Sequence, residues 1–125
     1  MEWQTALIIL AAAFNFGVIP LTTFFTDKNF FRVDPLFDAN GCFLVLLWGC
    51  AYLSTAWNYN NVPYIFLVFF VEKAFYVFHW AKWLTKKAQW SEKVEGNHRA
   101  NTFFHVYGAG DAVFGIGFLI IFITS

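Results

Sequence analysis

Glu72 and Lys73 stand side by side in the middle of one apolar run, and Asp111 stands in the middle of another. Two carboxyls and one amine in such surroundings can pair with each other, hold a proton or grip a small polar ligand. An ionisable side chain at the centre of a bilayer costs roughly 2.5–3.5 kcal/mol on insertion scales, so these groups pair, face a bundle interior or take part in function. Neighbouring residues on a helix project about 100° apart, and Glu72 and Lys73 therefore cannot both aim at Asp111. One acid pairs with Lys73 and the other takes a second environment; the sequence leaves open which is which. In a low dielectric the odd acid favours its neutral form, which would make it a proton-binding site.

Other polar side chains extend this level. Tyr76 and His79 follow Glu72 by four and seven residues, the spacing that returns a side chain to the same helical face, and they would continue a polar strip along the helix. Phe104, Tyr107, Gly108 and Asp111 recur at helical spacing in the other run, which places Tyr107 on the face of Asp111 and turns His105 about 120° away. Asn15 supplies an amide at similar depth in the first apolar run. His79 and His105 also fall at similar depth, a geometry that permits a haem held by two histidines, although interfacial or hydrogen-bonded histidines are the commoner case.

The elements that must position these groups are helices. Of 125 residues, 59% are hydrophobic and 13% charged, too apolar a balance for a soluble domain of this size. Four segments, Gln4 to Phe25, Ala39 to Trp57, Val62 to Leu84 and Asn101 to Ile123, each supply about 20 mainly apolar residues, enough to cross roughly 30 Å of hydrocarbon. The expected fold is all-α: an integral membrane four-helix bundle forming a single domain over residues 1–125. At a rise of about 1.5 Å per residue, Glu72 and Asp111 both lie about 15 Å deep, one counted from each side, and so meet near the midplane with Lys73.

Charge asymmetry sets the expected topology. Lys28 and Arg32 fall in the first connection, and Lys82, Lys86, Lys87, Lys93 and Arg99 surround the third; the opposite side has neither lysine nor arginine. The positive-inside rule makes loops 26–38 and 85–100 cytoplasmic and places both termini, with the Asn58 to Asn61 turn, on the non-cytoplasmic side. The first segment reads as a retained helix rather than a secretory signal, because it carries Glu2 in place of a basic leader and no convincing small-residue cleavage site follows. Zero formal net charge, with no basic stripe, speaks against nucleic acid. Membrane lipids, other membrane subunits or further copies of the chain are the expected partners.

The remaining features bear on packing. Cys42 and Cys50 lie eight positions apart, about 12 Å along a helix axis, too far for a disulfide. They accompany no CxxC or metal-ligand cluster. Pro20 can kink the first helix, Asn40 opens the second, and Gly108, Gly110, Gly115 and Gly117 allow close approach along the fourth. Asp34-Pro35 and Ser91 to Asn101 mark polar connections too short to fold alone, and there is no internal repeat or low-complexity tract. Trp3, Trp57, Tyr59, Tyr64, Trp80, Trp83 and Trp90 fall near helix ends, as interfacial anchors do. Phenylalanines inside the helices could line a pocket for a lipid, quinone or pigment, but packing and lipid contact are the commoner uses.

Glu72-Lys73 with Tyr76, Gly110-Asp111 followed by Phe114-Gly115 and Phe118, and Asn40-Gly41 opening a Leu-Trp-Gly helix form a pattern that resembles the small bacterial four-helix membrane proteins of the DoxX-like kind. The resemblance implies a polytopic topology, a bacterial inner membrane and a polar core; members of such groups mostly lack assigned activities. Three functions then compete. The leading one is an accessory or interaction subunit of a larger membrane assembly, suggested by minimal loops and the lack of a nucleotide or metal motif. The second is a homo-oligomeric, proton-linked binding protein or transporter for a small molecule or lipid, using Glu72, Lys73 and Asp111. The third, a redox or lipid-modifying enzyme, would draw on Tyr76, His79 and His105, but no nucleophile–base spacing supports it.

Overall fold

The structure is a computed structural model that describes residues 2–22, 39–85 and 98–125, with the side chains of all these except 18–22, 39, 83 and 98–106. Loop 26–38, most of loop 85–100, Trp90 and the Pro35 turn lie outside the described residues. Four helices account for nearly everything described: α1 (Trp3–Thr22), α2 (Ala39–Ser54), α3 (Pro63–Leu84) and α4 (His98–Thr124). Among the described residues there is no strand, and the fold is all-α.

The helix ends follow from local chemistry. The α2 helix stops at Ser54, short of the expected Trp57, where the backbone ladder tightens to i→i+3 bonds, the Thr55, Ala56 and Asn58 N–H groups donating to the Tyr52, Leu53 and Thr55 carbonyls, and side chains add to them. Thr55 Oγ1 donates to the Tyr52 carbonyl at 2.8 Å, and Thr5 Oγ1 reaches across from α1 to donate to the Ala56 carbonyl at 2.7 Å. With the carboxamide of Asn58 oriented nitrogen-inward, it donates to the carbonyls of Ser54 and Thr55, both at 3.2 Å. These bonds satisfy orphan carbonyls in place of a further helical turn. A 3₁₀ turn over Tyr59–Asn61 then reverses the chain, and Pro63 opens α3, where its missing N–H costs nothing. The α4 helix starts three residues earlier than expected, at His98, and its 27 residues make it the longest helix.

Consecutive helices run antiparallel. Thr5 meets Ala56, the site of Gly117 faces Leu7, and Tyr64 packs on Phe122 with ring centroids 5.9 Å apart, so these pairs mark one end of the bundle. The most extensive interface is between α3 and α4, followed by those of α1 with α2 and α1 with α4. By contrast α2 and α3 meet through long aromatic side chains: Tyr52 lies edge-on to Phe69 at 4.8 Å, and Trp48 edge-on to Phe69 at 6.2 Å. Phe66 and Phe118 complete this aromatic cluster, wedged against Ile8, Ala11, Ala12 and Ile121. Edge-to-face contacts at such spacings fill volume and add a directional preference.

Among the described residues, many large apolar side chains face outward. Leu10, Phe43, Leu47, Val71, Phe78, Val113, Ile116 and Ile123 are among the large hydrophobic side chains left exposed, while Thr5, Asn15, Thr55, Glu72, Lys73 and Asp111 are buried. Two stretches, Pro63–Lys82 and Tyr107–Thr124, are long and apolar enough to cross a membrane; Trp3–Gly17 and Asn40–Ser54 are shorter apolar helices.

Candidate functional site

Halfway along the bundle the polar side chains converge. Lys73 comes from the middle of α3 and is only 1% exposed. Its Nζ donates to Asp111 Oδ1 on α4 at 2.8 Å and to Asn15 Oδ1 on α1 at 3.2 Å. The rings of Tyr52 and Phe14 flank the same ammonium, with centroids 5.1 and 5.9 Å from Nζ. A cation held against carboxylate, amide and two ring faces is met by charge, dipole and ring quadrupole together. Of the two arrangements the sequence left open, the structure shows Lys73 with Asp111.

Glu72 takes the other environment. Its Oε1 accepts a hydrogen bond from the Tyr52 hydroxyl of α2. Asn15 closes the circuit, because its Nδ2 donates to the Val45 carbonyl of α2 at 3.0 Å while its Oδ1 receives Lys73. The network therefore joins α1 to α2, α2 to α3, α3 to α4 and α3 back to α1. It has two poles, an ammonium–carboxylate pair and a phenol–carboxyl pair, and Tyr52 belongs to both through its ring and its hydroxyl.

Tyr52 is the participant that sequence reasoning did not single out. It lies two residues from the end of α2, which suggests a different depth from Glu72. Side chains on a helix lean toward its amino-terminal end, however, and in antiparallel helices such leanings converge. Tyr52 leans from the end of α2 toward its middle, Glu72 leans toward the start of α3, and the two meet. The signal that could have found it was a lone tyrosine in an apolar helix, a hydroxyl that needs a partner once buried.

Glycine lets the two main helices close on this site. A Cβ placed on Gly115 would stand 3.0 Å from Lys73 Cβ, and one on Gly110 would stand 2.5 Å from Phe14 Cζ. Phe14 can swing its ring tip aside, but the Cβ of Lys73 is fixed to the α3 backbone. Gly115 therefore sets how near α4 can lie to Lys73.

The other expected site residues are less central. Tyr76 is buried, with its ring 5.4 Å from that of Phe75, and Tyr107 is buried on α4. His79 is half-buried and stacks on Phe75 at 6.3 Å, and Phe75 itself is exposed. The side chain of His105 lies outside the described residues, and so does the paired-histidine arrangement. Cys42 is buried and Cys50 exposed, and neither is in a disulfide.

Fold and site together define a class: an all-α four-helix bundle crossed at mid-length by a buried, charged hydrogen-bond network. No family model matches the chain, and no curated protein or solved structure matches it either.

Proposed function

We propose that the chain is a polytopic membrane protein whose four helices all cross the bilayer, and that it serves as an accessory or interaction subunit of a membrane assembly. The inversion of its burial pattern carries this reading: Lys73, Glu72, Asp111 and Asn15 are inside, while Val71, Phe78, Val113 and Ile116 are outside. Water would reverse both preferences, and hydrocarbon favours both. The polar network then fixes the relative positions of four helices whose outer faces are left for lipid and for neighbouring chains. Both termini lie on the non-cytoplasmic side and loops 26–38 and 85–100 on the cytoplasmic side of a bacterial inner membrane, as the lysine and arginine distribution requires. The DoxX-like resemblance belongs to the same reading.

Two measurements test it in sequence. Ile116→Asp puts a charge on the outer face and is expected to cost about 2.5–3.5 kcal/mol of insertion, read as loss of the protein from the membrane fraction; unchanged membrane integration would remove the bilayer reading. Native mass spectrometry of the gently extracted protein is then expected to show a stoichiometric heteromer. A homo-oligomer alone would discard the accessory role and leave the second reading, a proton-linked binding protein or transporter for a small molecule or lipid. One observation favours that alternative: the site holds two carboxyls but one ammonium, and Glu72 is met by a phenol rather than a cation. It expects Asp111→Asn to alter uptake or ligand affinity while the helices remain folded.

A further inference from the structure

At the end of the bundle where α2 turns into α3, a half-open cleft of about 460 Å³ lies between the start of α1 and the 55–61 turn. Its walls hold Glu2, Trp57, Tyr59, Asn60 and Asn61. Thr5 also faces it, buried, with its hydroxyl already committed to the Ala56 carbonyl. Among the lining residues the only formal charge is the Glu2 carboxylate, and there is no Lys, Arg or His. An acid ahead of α1 is explained by the positive end of that helix alone. The carboxamide and aromatic walls around it are not.

We propose that this cleft binds a small organic cation, an ammonium group on a short polar or alkyl body. The carboxylate of Glu2 supplies the opposite charge. Trp57, 72% exposed, supplies a ring face of the kind that attracts ammonium ions through its quadrupole, and Tyr59 a second aromatic wall. Asn60 and Asn61 are exposed and offer amide donors and acceptors to the polar remainder of the ligand. An anion would meet Glu2 with no compensating cation on the walls, and an uncharged apolar molecule would strand the amides. The same ammonium chemistry occurs in phospholipid headgroups and in soluble amines. The lipid source rests on the membrane reading above; the soluble source does not.

The test uses the whole protein in discs of phosphatidylglycerol, a lipid without an ammonium group, titrated calorimetrically with choline and with its uncharged carbon isostere, 3,3-dimethylbutan-1-ol. Choline is expected to bind about tenfold more tightly than the isostere, and Glu2→Gln and Trp57→Leu each to weaken choline about tenfold while the far-ultraviolet helical signal is unchanged. Phosphatidylethanolamine in the discs competes with choline if the occupant is a lipid headgroup; unchanged choline affinity assigns the cleft to soluble amines. Equal affinity for the two probes, choline affinity unaffected by Glu2→Gln, or no choline binding in phosphatidylglycerol discs overturns the proposal. None of these readouts depends on whether the protein has a partner subunit, so failure here and failure of the accessory role are separable.

Discussion

The α3–α4 and α2–α3 interfaces carry the two poles of one polar network, yet they are built in opposite ways. Between α3 and α4 the backbones come close, Gly115 admits the root of Lys73, and the charge pair spans a short gap at 2.8 Å. Between α2 and α3 the backbones stand apart, and Trp48, Tyr52 and Phe69 reach across. Close backbones hold a charged contact, because neither helix can retreat without leaving a charge alone. The close pole is therefore Lys73–Asp111, and the far-reaching one is Tyr52–Glu72.

The largest expected effect breaks the close pole. Lys73→Met leaves Asp111 buried without its cation, and removing one partner of a buried ion pair typically costs about 3–5 kcal/mol. Asp111→Asn in the same chain should return part of that loss, since both charges are then gone. Reversible unfolding of the two single variants and the double variant closes a cycle with an expected coupling of about 1–3 kcal/mol. Additive losses would mean that the two side chains do not stabilise one another, and the contrast between the two interfaces would then lose its first member.

How far this arrangement was legible in the sequence differs between the poles. Four apolar runs and their approximate limits were plain, and the all-α fold follows from them. Glu72, Lys73 and Asp111 announce themselves because charge is rare in such runs, and counting helical rise places them at one level. Which acid takes the lysine was not legible: it depends on the rotation of α3 against α4, and the near-uniform apolarity of both helices leaves that rotation undefined until Gly115 and Lys73 pack. Tyr52 was hidden for a related reason, since its hydroxyl acts about a turn away from its own Cα. The early end of α2 was missed because part of what holds the turn after it is distant in sequence: Thr5 of α1 donates to the Ala56 carbonyl, two residues past the helix.

A second prediction sharpens the comparison through backbone approach. Gly115→Val inserts a branched side chain where even a single Cβ stands 3.0 Å from Lys73 Cβ, and overpacking of this sort costs about 1–3 kcal/mol. Its more specific consequence is a smaller Lys73–Asp111 coupling in the same mutant cycle, because α4 must move outward. Gly17→Ala is the control: nothing lies within 4 Å of a Cβ there, and removing a helical glycine should stabilise by about 0.5–1 kcal/mol. If Gly115→Val lowers stability but leaves the coupling intact, the charge pair does not depend on the close approach of its helices.

The smallest effect belongs to the far-reaching pole. Tyr52→Phe keeps the ring against Phe69, Phe118 and the Lys73 ammonium and deletes only the hydroxyl that Glu72 accepts from. On the membrane reading proposed above, hydrogen bonds between helices average well below the strength of an ion pair, so a loss of about 1 kcal/mol is expected by unfolding in mixed micelles. Tyr52→Leu should cost more, because it also removes the ring from the aromatic cluster and from the ammonium. The ratio of the two losses separates hydroxyl from ring. Equal losses would mean that the hydroxyl accounts for everything Tyr52 contributes, and α2 and α3 would then be joined by the polar bond rather than by aromatic reach.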